Sequence, residues 1–159
     1  MVNAGRRQPE QNTHGFADVH TVPATILLVE DEPAVRMVTR EALELAGYKV
    51  LEADGPTAAV RIAGNSVNVI DLLLTDIIMP GMNGAELAWK IRERRPNLVT
   101  LFMTGYAESD ALRLAKLEFK HKHIQKPFTI HGLLTRVADA LSSRWNGGEG
   151  QSSPQYPSP

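Results

Sequence analysis

The sequence predicts an α/β fold, a three-layer α/β/α sandwich around a five-stranded parallel sheet, and three observations carry that prediction. Short apolar runs rich in branched residues alternate along the chain with segments of helical period. The runs are continuous rather than polar on every second residue, as in strands covered on both faces. Each run is separated from the next by a stretch long enough for the crossover that parallel strands require. The clearest run, Leu72 to Gly84 (LLLTDIIMPGMNG), delivers a single carboxylate, Asp76, to a strand tip. In open α/β sheets, ligands bind at the C-terminal tips of the strands.

In chain order, residues 1–23 are polar with little periodicity and read as a flexible leader before a domain at 24–145. From Thr25 the run TILLV is apolar and branched, and it changes abruptly to Glu30-Asp31-Glu32-Pro33. That is a strand-to-helix turn, because carboxylates suit a helix N-terminus and proline fits the first helical turn. Val35, Val38, Ala42 and Leu45 then recur at helical spacing, and Gly47 is placed to stop the helix. Tyr48 to Ala53 predicts a second strand, and Asp54-Gly55-Pro56 opens a short helix through Ala58, Ala59 and Ile62. The central strand is expected over Val69 to Asp76.

The helix after Gly84 carries Leu87, Ala88 and Ile91 on one face and must stop before Pro96. Leu98 to Thr104 is a fourth buried strand that ends on a hydroxyl, and Glu108 to about Leu117 is expected to be helical. His121 to Lys126 is short and polar, as an edge strand is, and Pro127 punctuates it. The last helix places Leu134, Val137, Ala138 and Leu141 at the i, i+3, i+4, i+7 positions that pack on a sheet. Residues 146–159 are of low complexity and read as a disordered tail, so no output domain is expected to follow.

Composition narrows the function classes. With 43% hydrophobic and 22% charged residues the chain of 159 has the makings of one ordinary core. The absence of cysteine excludes disulfides and thiolate metal sites. No secretory h-region is present and no apolar run approaches the roughly 18 residues of a membrane helix, so a cytoplasmic location is the expectation. Formal net charge is −1, and between the two tails basic and acidic residues balance, which leaves no electrostatic footprint for nucleic acid. Arg92, Arg94 and Arg95 read as the solvated face of a helix.

The strand tips, taken together, point to chemistry. In a parallel sheet Glu30, Asp31, Asp76, Thr104 and Lys126 all reach one edge. Two carboxylates about 5 Å apart at an effective dielectric of about 20 repel by roughly 3 kcal/mol. A divalent cation that prefers oxygen relieves this, and one or two carboxylates with waters and phosphate oxygens make a Mg²⁺ site. Attack by Asp76 on a phosphoryl group would give an aspartyl phosphate. Catalysis of such a transfer is mostly positioning and charge neutralisation, to which the Lys126 ammonium and the Thr104 hydroxyl are suited. Each residue alone has a plainer reading: a turn aspartate, carboxylates complementing a helix dipole, a β-branched strand residue, an edge-strand lysine. The functional reading rests on the constellation.

With VEDE at 29–32, LLLTDIIMPGMNG at 72–84, FMTGYA at 102–107 and KPF at 126–128, the chain resembles the receiver domain of two-component response regulators. That resemblance implies a flavodoxin-like strand order 2-1-3-4-5 and a cis peptide before Pro127. It implies that Glu30 and Asp31 bind Mg²⁺ with Asp76 as phosphoacceptor, that Ile78 lends a backbone carbonyl to the metal, and that Thr104 and Lys126 are the switch hydroxyl and phosphate-binding lysine. It also implies a sensor histidine kinase or histidine phosphotransfer protein as donor and a downstream protein as target, and leaves open whether phosphorylation drives homodimerisation. His123 stands where receivers commonly carry an aromatic switch residue, a departure from the usual coupling. Ile78 and Tyr106 occupy the positions that flank the phosphoryl group in the family, so their bulk predicts a long-lived phosphorylated form.

Two other readings compete. A phosphatase of the haloacid dehalogenase type needs an acidic residue two positions after its nucleophile, and Ile78 stands there. A phosphorylation-independent binding module on the same fold has no need of the intact set Glu30, Asp31, Asp76, Thr104 and Lys126. His121 and His123 share a strand face, but no third ligand near them makes a metal site.

Overall fold

The computed structural model describes residues 23–105 and 123–145. The expected leader, the tail, the helix at 108–117, Tyr106 and His121 lie outside these residues. The described elements are β1 (Thr25–Val29), α1 (Pro33–Leu45), β2 (Lys49–Ala53), α2 (Pro56–Gly64), β3 (Leu72–Asp76), α3 (Gly84–Arg92), β4 (Val99–Thr104), β5 (His123–Gln125) and α4 (Ile130–Trp145). The strands form one sheet in the order β2-β1-β3-β4-β5, and every neighbouring pair is parallel. The architecture is the one the sequence predicted, and the strand order is the one the family resemblance implied.

The continuous apolar runs explain the layering. Along β1 and β3 successive side chains go to opposite faces. Leu27, Val29 and Leu73 pack with Ala59 and Ala63 of α2 and with Leu87, Ala88 and Ile91 of α3. Ile26, Leu28, Leu72 and Leu74 pack instead with Ala42 and Leu43 of α1 and with Leu133, Val137 and Ala140 of α4. A helical layer therefore covers each face, and no residue of β1, β3 or β4 escapes burial.

Three details depart from the sequence reading. In α1 the buried stripe is Thr39, Ala42 and Leu43, while Val38 is 54% and Leu45 89% exposed. An apolar count overlooks Thr39, whose β-branched side chain takes the core position. In α4 the fully buried residues are Leu133, Val137 and Ala140, with the expected Leu134 and Leu141 half-buried against the same core, and only Ala138 of the expected stripe is exposed. Finally, β3 begins at Leu72 rather than Val69, which is 70% exposed. The chain docks first at Asp71, whose N–H donates to Thr25 O at 2.8 Å and whose carboxylate accepts the Thr25 N–H at 2.8 Å.

The helix boundaries have clear local causes. Pro33 opens α1, where its missing N–H is no loss, and Gly47, at φ 90°, turns the chain out of that helix. Asn83 caps α3 in a reciprocal box: its side chain accepts the Glu86 N–H at 2.9 Å, and the Glu86 carboxylate accepts the Asn83 N–H at 3.0 Å. Of the three arginines expected to be solvated, Arg95 is a tie between helices, donating to Ala63 O at 2.8 Å and Asn65 O at 3.0 Å. Arg92 lies over the Trp89 ring, 5.9 Å from its centroid.

Candidate functional site

A parallel sheet brings all its C-terminal tips to one edge, and the chemistry-bearing residues follow. Glu30 and Asp31 leave β1, Asp76 ends β3, Thr104 ends β4, and Lys126 follows β5. Glu30 is only 1% exposed, and Asp76 and Thr104 are also buried. The Lys126 Nζ donates to Glu30 Oε2 and to Asp76 Oδ2, each at 2.6 Å. One carboxylate oxygen from each of Glu30, Asp31 and Asp76 lies within 4.8 Å of the others. Residues remote in sequence are thus joined in a single charged cluster.

The cluster's electrostatics follow from its burial. Burial pushes the Glu30 carboxyl up from the usual carboxylate range, Lys126 draws it part of the way back, and the negative charge of Asp76 adds to the rise. For Lys126, burial alone would lower the ammonium's pKa, but its hydrogen bonds to Asp76 and Glu30 outweigh that, and the net shift is upward. The carboxylates outnumber the one ammonium between them. An oxygen-only donor set of this compactness fits a hard divalent cation and not a soft one.

Neighbouring backbone groups hold the acidic residues in place. The Ile78 N–H donates to Asp76 Oδ1 at 3.2 Å, and the Thr75 hydroxyl donates to Asp76 O at 2.9 Å. Gly84 approaches from α3: its N–H donates to Ile77 O at 2.8 Å, and a Cβ there would lie 2.1 Å from Asp76 O. Lys126 is fixed by its own N–H, which donates to Thr104 O at 2.7 Å. The Lys126–Pro127 peptide is cis, as expected.

The expected residues divide into two groups. Glu30, Asp31, Asp76 and Lys126 converge, Thr104 joins them through its backbone, and Ile78, 51% exposed, borders Asp76. His123 does not join the cluster; it opens β5 opposite Phe102 and is half-buried. Two residues the sequence reading passed over belong to the surroundings: Gly84, and Arg36, which donates to Glu30 O at 2.7 Å. Beside Lys126 opens an apolar groove of about 540 Å³ lined by Ala34, Val35, Val38, Pro127 and Phe128, which accounts for the exposure of Val38.

Comparison with known proteins agrees with this geometry. The family model for the response regulator receiver domain matches residues 26–138. The response regulator receiver protein CpdR of Brucella abortus (strain 2308) is 39% identical over 123 residues, covering 73% of this chain and 95% of CpdR. The sensor kinase CckA of the same organism is 36% identical over 121 residues, which are 76% of this chain but only 13% of CckA. Among solved structures, a CheY-like receiver domain protein of Methanospirillum hungatei JF-1 superimposes with a TM-score of 0.73 at 28% identity, covering 80% of this chain and 100% of that one. The matched span contains every strand tip of the acidic cluster, and a relative of nearly the same extent shares more than a third of its residues: the chain belongs to the response regulator receiver domain family.

Proposed function

We propose that the chain is a phosphoryl-controlled switch in which Asp76 accepts a phosphoryl group from the phosphohistidine of a histidine kinase or phosphotransfer protein. An Asp76 carboxylate oxygen attacks phosphorus, the P–N bond to the donor imidazole breaks with its electron pair going to nitrogen, and an aspartyl phosphate results. The observation that carries this reading is the Lys126 ammonium, bonded at once to Asp76 and Glu30 and so already seated where phosphoryl oxygens gain charge. Glu30, Asp31 and Asp76, with the Ile78 carbonyl, are the groups to hold Mg²⁺, which when bound neutralises phosphoryl-oxygen charge. Thr104, buried at the end of β4, supplies a hydroxyl to a phosphoryl oxygen.

The new dianion draws on Lys126 and Thr104 and so shifts the balance between two arrangements of the β4–β5 edge, which alters the contacts offered to a downstream protein. The apolar groove, which Lys126 helps to line, offers a donor protein an apolar surface next to the residue that is bonded to Asp76. No catalytic turnover beyond phosphoryl acceptance and slow loss is assigned. No helix among the described residues is long and apolar enough to cross a membrane, in keeping with a receiver domain at 24–145 that works in the cytoplasm.

The test is incubation with Mg²⁺ and acetyl phosphate followed by intact mass measurement, with Asp76→Asn as control. One added phosphoryl mass is expected for the wild-type chain and none for the variant. Absence of the adduct, or equal labelling of both proteins, overturns the proposal.

A further inference from the structure

The first turn of α1 contains no acidic residue, and its N-cap, Glu32, makes no side-chain capping bond. The residue that completes this turn is instead a cation, Arg36, whose N–H donates to Glu32 O at 3.0 Å. A positive charge near a helix N-terminus opposes the helix dipole. Residues that break a local rule in this way tend to do so for a reason found elsewhere in the structure. Here the reason is in the direction of the side chain. Helical side chains point back toward the N-terminus, and the half-buried Arg36 guanidinium reaches past the cap into the β1–α1 turn. Its Nη1 donates to Glu30 O at 2.7 Å, with a longer contact of 3.4 Å to Asp31 O. The turn's own restraint is weaker, a 3.3 Å bond from the Glu32 N–H to Glu30 Oε1.

We propose that Arg36 is a positioning residue for the cation site: by gripping the Glu30 and Asp31 carbonyls it fixes the turn so that both carboxylates face Asp76. The inference rests on the reading of the acidic cluster as a Mg²⁺ site. Held in place, the carboxylates need no reordering when the ion arrives, and affinity gains accordingly. The charge of Arg36 works in the opposite sense, since a guanidinium near the cluster repels a divalent cation. The two effects therefore predict opposite signs when Arg36 is removed, and the proposal commits to the positioning effect as the larger.

The experiment is a Mg²⁺ titration by calorimetry of the wild-type chain, Arg36→Met and Arg36→Lys, with amide hydrogen exchange at Asp31 and Glu32 measured on the metal-free proteins. Arg36→Met is expected to weaken Mg²⁺ binding about tenfold, the worth of roughly one charge-assisted hydrogen bond, and to speed exchange at both amides. Arg36→Lys keeps one donor and should recover part of the affinity. Thermal midpoints within a few degrees of wild type, monitored in parallel, separate loosening of the turn from loss of the fold. Equal or tighter Mg²⁺ binding by Arg36→Met, or unchanged exchange in the metal-free protein, overturns the role of Arg36 while the Mg²⁺ site stands. A wild-type chain that does not bind Mg²⁺ overturns both.

Discussion

Replacing Gly84 with alanine tests how rigidly Asp76 is held. The added Cβ would stand 2.1 Å from Asp76 O and 3.0 Å from both Asp76 C and Ile77 Cα. Carbon and oxygen ordinarily approach no closer than about 3.3 Å, so the backbones of α3 and β3 must part by roughly 1 Å. The strand side has little freedom: Asp76 is in register with Met103, and the Ile77 N–H donates to Met103 O at 3.1 Å. Overpacking of this kind costs typically about 1–3 kcal/mol. Stretching the bond from the Gly84 N–H to Ile77 O adds roughly 0.5–1.5 kcal/mol. An alanine's better helix propensity returns up to about 1 kcal/mol. The expected net loss is about 2–3 kcal/mol, or roughly 10 °C in Tm for a domain of this size. Displacement of Asp76 relative to Lys126 by even part of that 1 Å is expected to slow phosphoryl acceptance by up to about 100-fold. The assay pairs thermal unfolding by circular dichroism with the rate of Asp76 labelling at saturating Mg²⁺. Gly55→Ala is the control, because no atom lies within 4 Å of a Cβ there. If Gly84→Ala unfolds and labels like wild type, α3 yields freely and the argument from close approach fails.

Two further outcomes follow from the charged cluster. The Lys126 pKa is raised in the folded chain, so its contribution to stability is complete below the ordinary lysine value of about 10.4 and disappears as pH rises through the folded value. Above about pH 10.4 the wild-type Tm should therefore fall more steeply than that of Lys126→Met, and parallel Tm profiles would show that the bonds to Asp76 and Glu30 do not stabilise the ammonium. At the site's rim, Ile78 is 51% exposed with its N–H on Asp76 Oδ1, so its side chain can shield the acyl phosphate from water. Ile78→Asn should shorten the lifetime of phosphorylated protein after donor removal by about tenfold, equivalent to 1.4 kcal/mol in the barrier. An unchanged or longer lifetime would remove Ile78 from that role.

The strand tips were legible because parallel topology does the work of long-range contact: once β1, β3, β4 and β5 are recognised, Glu30, Asp76, Thr104 and Lys126 must share an edge. Burial was less legible on the helices flanking that sheet. Thr39 looks polar yet occupies the core stripe of α1, and Val38 looks apolar yet lines an open groove. Asn83 and Glu86 stand at the spacing of a reciprocal cap, a signal present in the sequence though not one that the strand-tip pattern needs. Arg36 and Gly84 were invisible for a deeper reason. Each acts on a backbone carbonyl, and no side-chain pattern reports where a carbonyl is pointing.

The shortest strand carries a burden out of proportion to its length. Among the described residues, β5 has three residues and sits at the sheet's edge, paired only with β4. Immediately after it, Lys126 anchors twice, by its N–H to Thr104 O and by its Nζ to carboxylates from β1 and β3. The ammonium thus laces the rim across strands that share no ladder with β5. A change of charge at Asp76 changes what that ammonium is bonded to, and β5, with three residues in its ladder, has little to hold it against such a change. The margin of the sheet is thereby tied to the charge at its centre.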